Sequence, residues 1–440
     1  MNGQNKNQAE ILKKLGIQKL NQMQINAHEA ISTNSEVILL SPTGTGKTLA
    51  FLLPILAELD PLIENIQALI IVPSRELAIQ IEQVVREMGS GFKTNAVFGG
   101  RSGSKDKVEL NHPPAILIGT PGRIADHLRN GLVETKEIKT LVLDEFDKSL
   151  EVGFGDEMKD IIDALGFLKK KILTSATQKV EIPLFMRIED PKKLNYLENT
   201  VPLLKLKTII SPDKDKLTTL EKTLNHIGNQ RGIIFCNFKD TIQLVSEFLD
   251  QKGIGHSSFY GGLEQMDRER ALIMFRNGTT RILLATDLAA RGIDVPELNF
   301  IIHFELPTRK DEFIHRNGRT ARMNNDGTAY IIKWKNEKLP IFIKNVELEN
   351  IKSSFSRTET DWETLYISGG RKDKISKGDI AGLFFKQGGL KRDELGIIEL
   401  KQDCSFVAVP RSKTQKLINQ LNNQRIKKRK VRISLLKKNN

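Results

Sequence analysis

Two short stretches hold residues whose types and spacing could do phosphate chemistry. "SPTGTGKT", Ser41 to Thr48, sets Gly44 and Gly46 just ahead of Lys47 and Thr48. Glycines let a backbone approach phosphate closely, a lysine reaches the outer phosphates, and a threonine hydroxyl ligates magnesium. Thr43, Gly44, Thr45, Gly46, Lys47 and Thr48 are therefore candidate nucleotide contacts, although Ser41 stands where the strict loop pattern has glycine. "LVLDEFD", Leu141 to Asp147, ends an apolar run in acids. Alone, an acid pair after such a run is an ordinary strand end. Beside a phosphate loop, Asp144 becomes a candidate magnesium holder with Thr48, and Glu145 a group that orients and polarises an attacking water. Phe146 between the acids has no proton or metal chemistry to offer, so its expected role is packing.

These residues need elements that hold them. The first 200 or so residues alternate amphipathic stretches with short Ile/Val/Leu runs: "EVILL", "ALIIVP", "AILIGTP", "TLVLDE" and "KKILTSAT". Such runs, each ending in Gly, Pro, Ser, Thr or Asp, predict buried parallel strands joined by helical crossovers. The pattern restarts near Lys205 with "RGIIFCNF", "GHSSFYGG", "RILLATD", "LNFIIHFELP" and "GTAYIIK". It weakens around Asn345 to Thr360. A third stretch then predicts strand, helix, two strands, helix and a last strand in "RKVRISLL", the split βαβ order. The expected domains are 1–203, 204–345 and 361–440, with 346–360 as linker.

Composition bounds the partners. The chain has 440 residues, 39% of them hydrophobic, and a net charge of +13. Residues 361–440 carry 19 Lys+Arg against 8 Asp+Glu, a net of +11, which leaves +2 for the rest. A polyanion is the natural partner of the last 80 residues, and "RIKKRKVR", with Lys428 and Arg429, is its most basic cluster. No apolar run reaches the roughly 18 to 20 residues needed to cross a bilayer, and the N-terminal "MNGQNKNQAE" is polar. Cys236 and Cys404 lie far apart in apolar contexts, which argues for a reducing cytoplasm and against a disulfide framework.

Taken together, the motifs resemble those of DEAD-box RNA helicases over about residues 15–345. "LGIQKLNQMQ" resembles the adenine-reading Q motif, with Gln24 as its glutamine. "SPTGTGKT" and "DEFD" stand as motifs I and II, and "PSRELA", "FGG" and "TPGR" resemble motif Ia, the glycine pair and motif Ib. "SAT" (Ser175 to Thr177) matches motif III, "IIFCNF" motif IV, "ATDLAARGID" motif V and "HRNGRTAR" motif VI. The resemblance implies an α/β chain of two tandem RecA-like domains with parallel sheets that close together on ATP, Mg2+ and single-stranded RNA. It assigns Arg319 and Arg322 as arginine fingers and places Gly292 and Asp294 near the nucleotide. His315, Asp147, Ser175 and Thr177 would couple hydrolysis to RNA. Pro73, Arg75, Gly100, Thr120, Pro121, Gly122, Arg123 and Thr286 would grip the RNA backbone. Ile17 replaces the aromatic usual in the Q motif, and "LNQMQ" lacks its prolines.

Residues 361–440 resemble the RRM-like RNA-binding domain of DbpA-type helicases, with Tyr366 of "LYISGG" at the base-stacking position and Cys404 where a second aromatic is usual; the alternative is that "RIKKRKVR" and "GGRKDK" bind a folded RNA by charge and shape. That resemblance implies a structured segment of large-subunit ribosomal RNA as target and a role in ribosome assembly. The expected protein is an RNA-stimulated ATPase that unwinds short duplexes as a monomer in the cytoplasm, with no membrane or DNA partner. The competing expectation is an ATP-gated RNA clamp or chaperone with little unwinding.

Overall fold

The computed structural model describes residues 8–437, except 43, 101–102, 152, 178–181, 198–203, 288–294, 296–297, 321–326 and 352–359. The chain divides into two compact units: Met1–Pro202 with Arg291–Asp294, and Leu203–Ala290 with Val295–Asn440.

The first unit is built on a seven-stranded sheet whose pairings are all parallel. Its strands are β1 (Glu36–Leu40), β2 (Ala68–Ile71), β3 (Thr94–Val97), β4 (Ile116–Gly119), β5 (Thr140–Leu143), β6 (Lys170–Ser175) and β7 (Lys192–Asn195), in the order β3-β4-β2-β5-β6-β1-β7. Strands β2, β4 and β5 are buried at every position, as strands covered by helices on both faces must be. The helices are α1 (Gln8–Leu15), α2 (Gln22–Thr33), α3 (Lys47–Glu58), α4 (Arg75–Met88), α5 (Gly103–Leu110), α6 (Pro121–Arg129), α7 (Phe146–Glu151) and α8 (Gly155–Ala164). Their starts follow local chemistry. Ser74 caps α4 by accepting from the Leu77 N–H, and Pro121 occupies the first turn of α6 after Thr120.

The second unit repeats the plan. Strands β8 (Leu204–Ser211), β9 (Gly232–Phe235), β10 (His256–Phe259), β11 (Ile282–Ala285), β12 (Phe300–His303), β13 (Gly327–Trp334) and β14 (Glu347–Leu348) form a second parallel sheet, ordered β10-β11-β9-β12-β13-β8-β14. Helices α9 (Leu217–Ile227), α10 (Lys239–Gln251) and α11 (Gln265–Arg276) lie among them, followed by a helix at Lys310–Asn317. Strand β14 falls inside the stretch expected to be linker: Glu347 and Leu348 pair with Lys207 and Thr208.

The basic third domain belongs to the same unit. β15 (Trp362–Ile367), β16 (Ile398–Leu400), β17 (Ser405–Pro410) and β20 (Ile433–Leu435) form an antiparallel sheet ordered β16-β17-β15-β20, with helices at Lys377–Lys386 and Thr414–Leu421. The last expected strand is split. β19 (Arg429–Lys430) pairs back on β18 (Arg425–Ile426) as a small hairpin before β20 begins. Leu365, Ile367, Val407, Val409 and Ile433 face the helices as one core.

The opposite face of this sheet is also covered. Phe406 and Leu436 pack with Ile273 and Met274 of α11, and Tyr366 and Cys404 border the cluster. Asn277 Nδ2 donates to Thr364 Oγ1 at 3.1 Å, and the Thr279 and Thr364 hydroxyls share a 2.7 Å bond. Arg276 meets Glu399 at 3.4 Å. Just past β20, Leu436 is buried against α11, while Leu435 is 36% exposed. Among the described residues no helix is long and apolar enough to cross a membrane.

Candidate nucleotide and RNA sites

The first sheet sorts its motifs by strand order. The phosphate loop follows β1, the DEFD acids follow β5 and "SAT" ends β6, and these three strands are neighbours in the order β5-β6-β1. Pro73 and Arg75 follow β2, Gly100 follows β3, and Thr120, Pro121, Gly122 and Arg123 follow β4, in the neighbouring order β3-β4-β2. Parallel strands all point the same way, so both sets lie along one carboxyl edge, side by side.

In the phosphate loop Gly44 and Gly46 have φ of 82° and 87°, the left-handed region that a side chain disfavours. A Cβ on Gly46 would also collide with the Gln24 amide. Lys47 Nζ donates to the carbonyls of Ser41 at 2.6 Å and Pro42 at 2.9 Å, which holds it folded under the loop. Ser41, where glycine was expected, has a purpose: its hydroxyl bonds Thr45 Oγ1 at 2.8 Å. Gln24 sits against the loop, its Nε2 donating to the Gly46 carbonyl at 3.3 Å. Asn21, which sequence reasoning missed, caps α2 in a reciprocal box with Gln24 and donates from Nδ2 to the Thr45 carbonyl at 3.1 Å. Thr48 is half-buried at the first turn of α3.

The acids are fixed from β6. Thr174 Oγ1 donates to Asp144 and accepts from the Glu145 N–H at 3.2 Å. Glu145 has a φ of 50°, a conformation costly for a side-chain residue and typical of strained functional turns. Asp147 accepts from Thr177 Oγ1 at 2.9 Å, and Ser175 Oγ accepts from the Thr177 N–H at 2.9 Å. The structure thus brings Asp147, Ser175 and Thr177 together. Phe146 is 1% exposed and packs into the core cluster beneath β5 and β6. Burial pushes the Asp144 carboxyl above the usual carboxylate range, against the Thr174 hydrogen bond and the charge of Lys47. A buried carboxylate and a threonine hydroxyl are hard oxygen donors, the kind magnesium takes alongside phosphate and water, so Asp144 and Thr48 fit that ion.

At the neighbouring set, the Arg75 guanidinium lies over the Gly99–Gly100 turn. Gly100 has a φ of 82°, and a Cβ there would lie 2.5 Å from Arg75 Nη1. Arg123 Nε donates to Asp106 Oδ2 at 2.8 Å, and His127 Nε2 is 2.9 Å from the same oxygen. Asp106 is fully buried. It had no sequence signal, because it is recognisable only once α5 and α6 are side by side.

In the second unit, Thr286 follows β11, and His315 and Arg319 lie at the end of the helix after β12. Both are buried, at 9% and 5% exposure. Gly292, Asp294, Arg322 and, in the first unit, Thr43 lie outside the described residues. The organiser of this region is Arg316, which the motif reading passed over. Its guanidinium donates to Asp287 Oδ1 at 2.7 Å, to the Glu305 carbonyl at 2.7 Å and to Asn237 Oδ1 at 2.6 Å, tying motifs IV, V and VI together. Burial and Arg316 push the neighbouring His303 down to about 3, so it stays neutral beside Asn317 Oδ1 at 3.1 Å.

Tyr366 is half-buried at the border of the α11 contact. Its ring meets Phe406 edge-on at 5.7 Å and lies on the sheet face that packs against α11. A base-stacking platform needs that face open. Lys428 and Arg429 are exposed on the β18–β19 hairpin. Arg429 Nε lies 3.6 Å from Asp373.

Comparison with known proteins agrees with this geometry. The DEAD/DEAH box helicase model matches residues 21–183, the helicase conserved C-terminal domain model 215–324, and the DbpA RNA binding domain model 364–435. The chain is 32% identical to the ATP-dependent RNA helicase DbpA of Escherichia coli, covering 97% of this chain and 96% of the relative. It is 30% identical to that of Bacillus subtilis, covering 96% of each. A solved structure of S. cerevisiae Dbp5 bound to RNA and ADP BeF3 is 28% identical, with a TM-score of 0.67 over 75% of this chain and 88% of that one. The chain belongs to the DEAD-box ATP-dependent RNA helicases, in the DbpA type that carries its own C-terminal RNA-binding domain.

Proposed function

We propose that this helicase uses RNA-stimulated ATP hydrolysis to unwind short RNA duplexes locally, addressed by its basic third domain to large-subunit ribosomal RNA during ribosome assembly. The observation that carries the coupling is the shared carboxyl edge of the first sheet, where the nucleotide set on β5-β6-β1 adjoins the RNA set on β3-β4-β2. A shift in either set is felt by its neighbour through packed strands.

In this reading Lys47 leaves its loop carbonyls to reach the phosphates. Asp144 and Thr48 would hold magnesium, which when bound would neutralise phosphate charge. Glu145 orients the attacking water, and Arg319 and Arg322 stabilise charge on the transferring phosphoryl group as the two helicase domains close. Gln24 reads the base edge, and Gly292 and Asp294 complete the nucleotide site. Arg75, Arg123 and the main chain at Gly100 and Thr120–Gly122 grip the RNA backbone with Thr286, and His315 relays to Asp147. Tyr366 serves docking, so the third domain grips RNA with its exposed cations, Lys428 and Arg429 among them, by charge and shape. The protein acts as a cytoplasmic monomer.

Glu145→Gln tests the reaction. Turnover should fall by at least ~100-fold, the scale of a lost general base, while ATP and RNA binding persist. Wild-type turnover in that variant would remove Glu145 from the mechanism. Charge reversal at Lys428 and Arg429 tests the address. RNA-stimulated ATPase should lose its preference for large-subunit ribosomal RNA fragments over unrelated RNA of equal length, and an unchanged preference would place the address elsewhere.

A further inference from the structure

Strand β10 ends the second sheet, so among the described residues one of its two edges has no neighbouring strand. That strand borders a groove of about 450 Å³ between α10 and α11. Glu247 and Asp250 line it from α10, and Asp267 and Arg270 from α11. Arg270 Nη1 lies 3.5 Å from Asp267 Oδ1, so the groove is net acidic on a chain whose net charge is +13. Two serines of β10 line it, and they differ. The Ser257 hydroxyl bonds Thr280 at 2.9 Å, whereas Ser258 Oγ is buried and has no hydrogen-bond partner. Met274 lines one end of the groove and also packs with Phe406 and Leu436, so the groove runs up to the docked third domain.

We propose that this groove docks an extended, lysine- or arginine-bearing segment of a partner protein, laid along the β10 edge. An edge strand offers main-chain donors and acceptors to an added chain. Alternate side chains of that chain then point into the groove, where cationic heads meet Glu247, Asp250 and Asp267 and a polar group can satisfy Ser258. The charge excludes other occupants: the acids repel an RNA backbone, and a second copy pairing edge to edge would bring the same acids against themselves. An occupied groove tethers the helicase to a basic protein near its RNA.

The probe is a fluorescein-labelled octapeptide alternating lysine with valine, titrated into the full chain and read by anisotropy. Saturable binding is expected, with shifts at the Ser257 and Ser258 amides. Binding should weaken at least tenfold in the Glu247→Lys/Asp250→Lys double variant, whose RNA-stimulated ATPase stays at the wild-type level. The matching glutamate–valine peptide should bind only the double variant. The proposal is overturned if the lysine peptide fails to bind, or binds wild type and double variant alike. It is also overturned if the wild-type chain is a dimer that the double variant dissolves, since the groove is then a self-contact. A lysine–proline peptide, poor in main-chain donors, binding as tightly as lysine–valine would refute the strand-edge geometry.

Discussion

Asp144, proposed to hold magnesium, carries a structural cost. Its carboxyl is buried and held above the usual carboxylate range by desolvation. An acid whose folded-state pKa is raised makes the ligand-free protein less stable as pH rises from the ordinary carboxylate range through the raised value, because only the folded state holds the charge out of water. Asp144→Asn should therefore raise the melting temperature of the ligand-free protein at neutral pH while abolishing ATP turnover. A gain of about 1 kcal/mol would appear as roughly 2–4 °C in a domain of this size. The difference should vanish at acid pH, where the native side chain is itself protonated; a variant less stable at neutral pH would contradict it. Phe146 is the converse case. It is buried in the core and touches none of the polar bonds described for the acids beside it. Phe146→Ala should cost about 3 kcal/mol in denaturant unfolding and keep its ATPase at temperatures where it remains folded.

At the level of elements, α5 exists to present Asp106 to α6. The fully buried carboxylate holds Arg123 at 2.8 Å and His127 at 2.9 Å, which fixes where the guanidinium can point. Asp106→Asn keeps the volume and removes the charge. The RNA concentration giving half-maximal ATPase should rise severalfold with maximal turnover preserved, and a fall in turnover with unchanged RNA dependence would contradict a positioning role. Sequence made the strands and their motifs legible, because a parallel strand buried on both faces is a continuous apolar run that ends at its motif. It could not show Asp106, Asn21 or Thr174. Each acts across a gap closed only by folding: α5 onto α6, α2 onto the phosphate loop, β6 onto β5. The setting of Tyr366 was illegible for a related reason. Strand alternation says that Tyr366 and Phe406 share a face, but not that Ile273 and Met274 of α11 will cover it.

Across the whole molecule, the third domain is seated rather than trailing. Apolar contacts from Phe406 and Leu436 to α11, the buried Thr279–Thr364 bond and the Arg276–Glu399 pair fasten it to the second helicase sheet. Phe406→Asp should undock it, seen as a larger radius of gyration in solution scattering and faster exchange at α11 amides; an unchanged radius would mean the contact contributes little. A seated domain holds whatever it binds at a fixed place relative to the second helicase sheet, whereas a flexible tether would only raise local concentration. In the proposed function, hydrolysis set up by Asp144, Glu145 and Lys47 is spent on separating RNA strands. Release of a labelled strand from a short RNA duplex, joined to a large-subunit ribosomal RNA fragment, tests it most directly. ATP-dependent release by the wild-type chain is expected, repeated over many turnovers, with at most one event per molecule for Glu145→Gln. ATP hydrolysis by the wild-type chain without strand release would contradict it and leave an RNA clamp in its place.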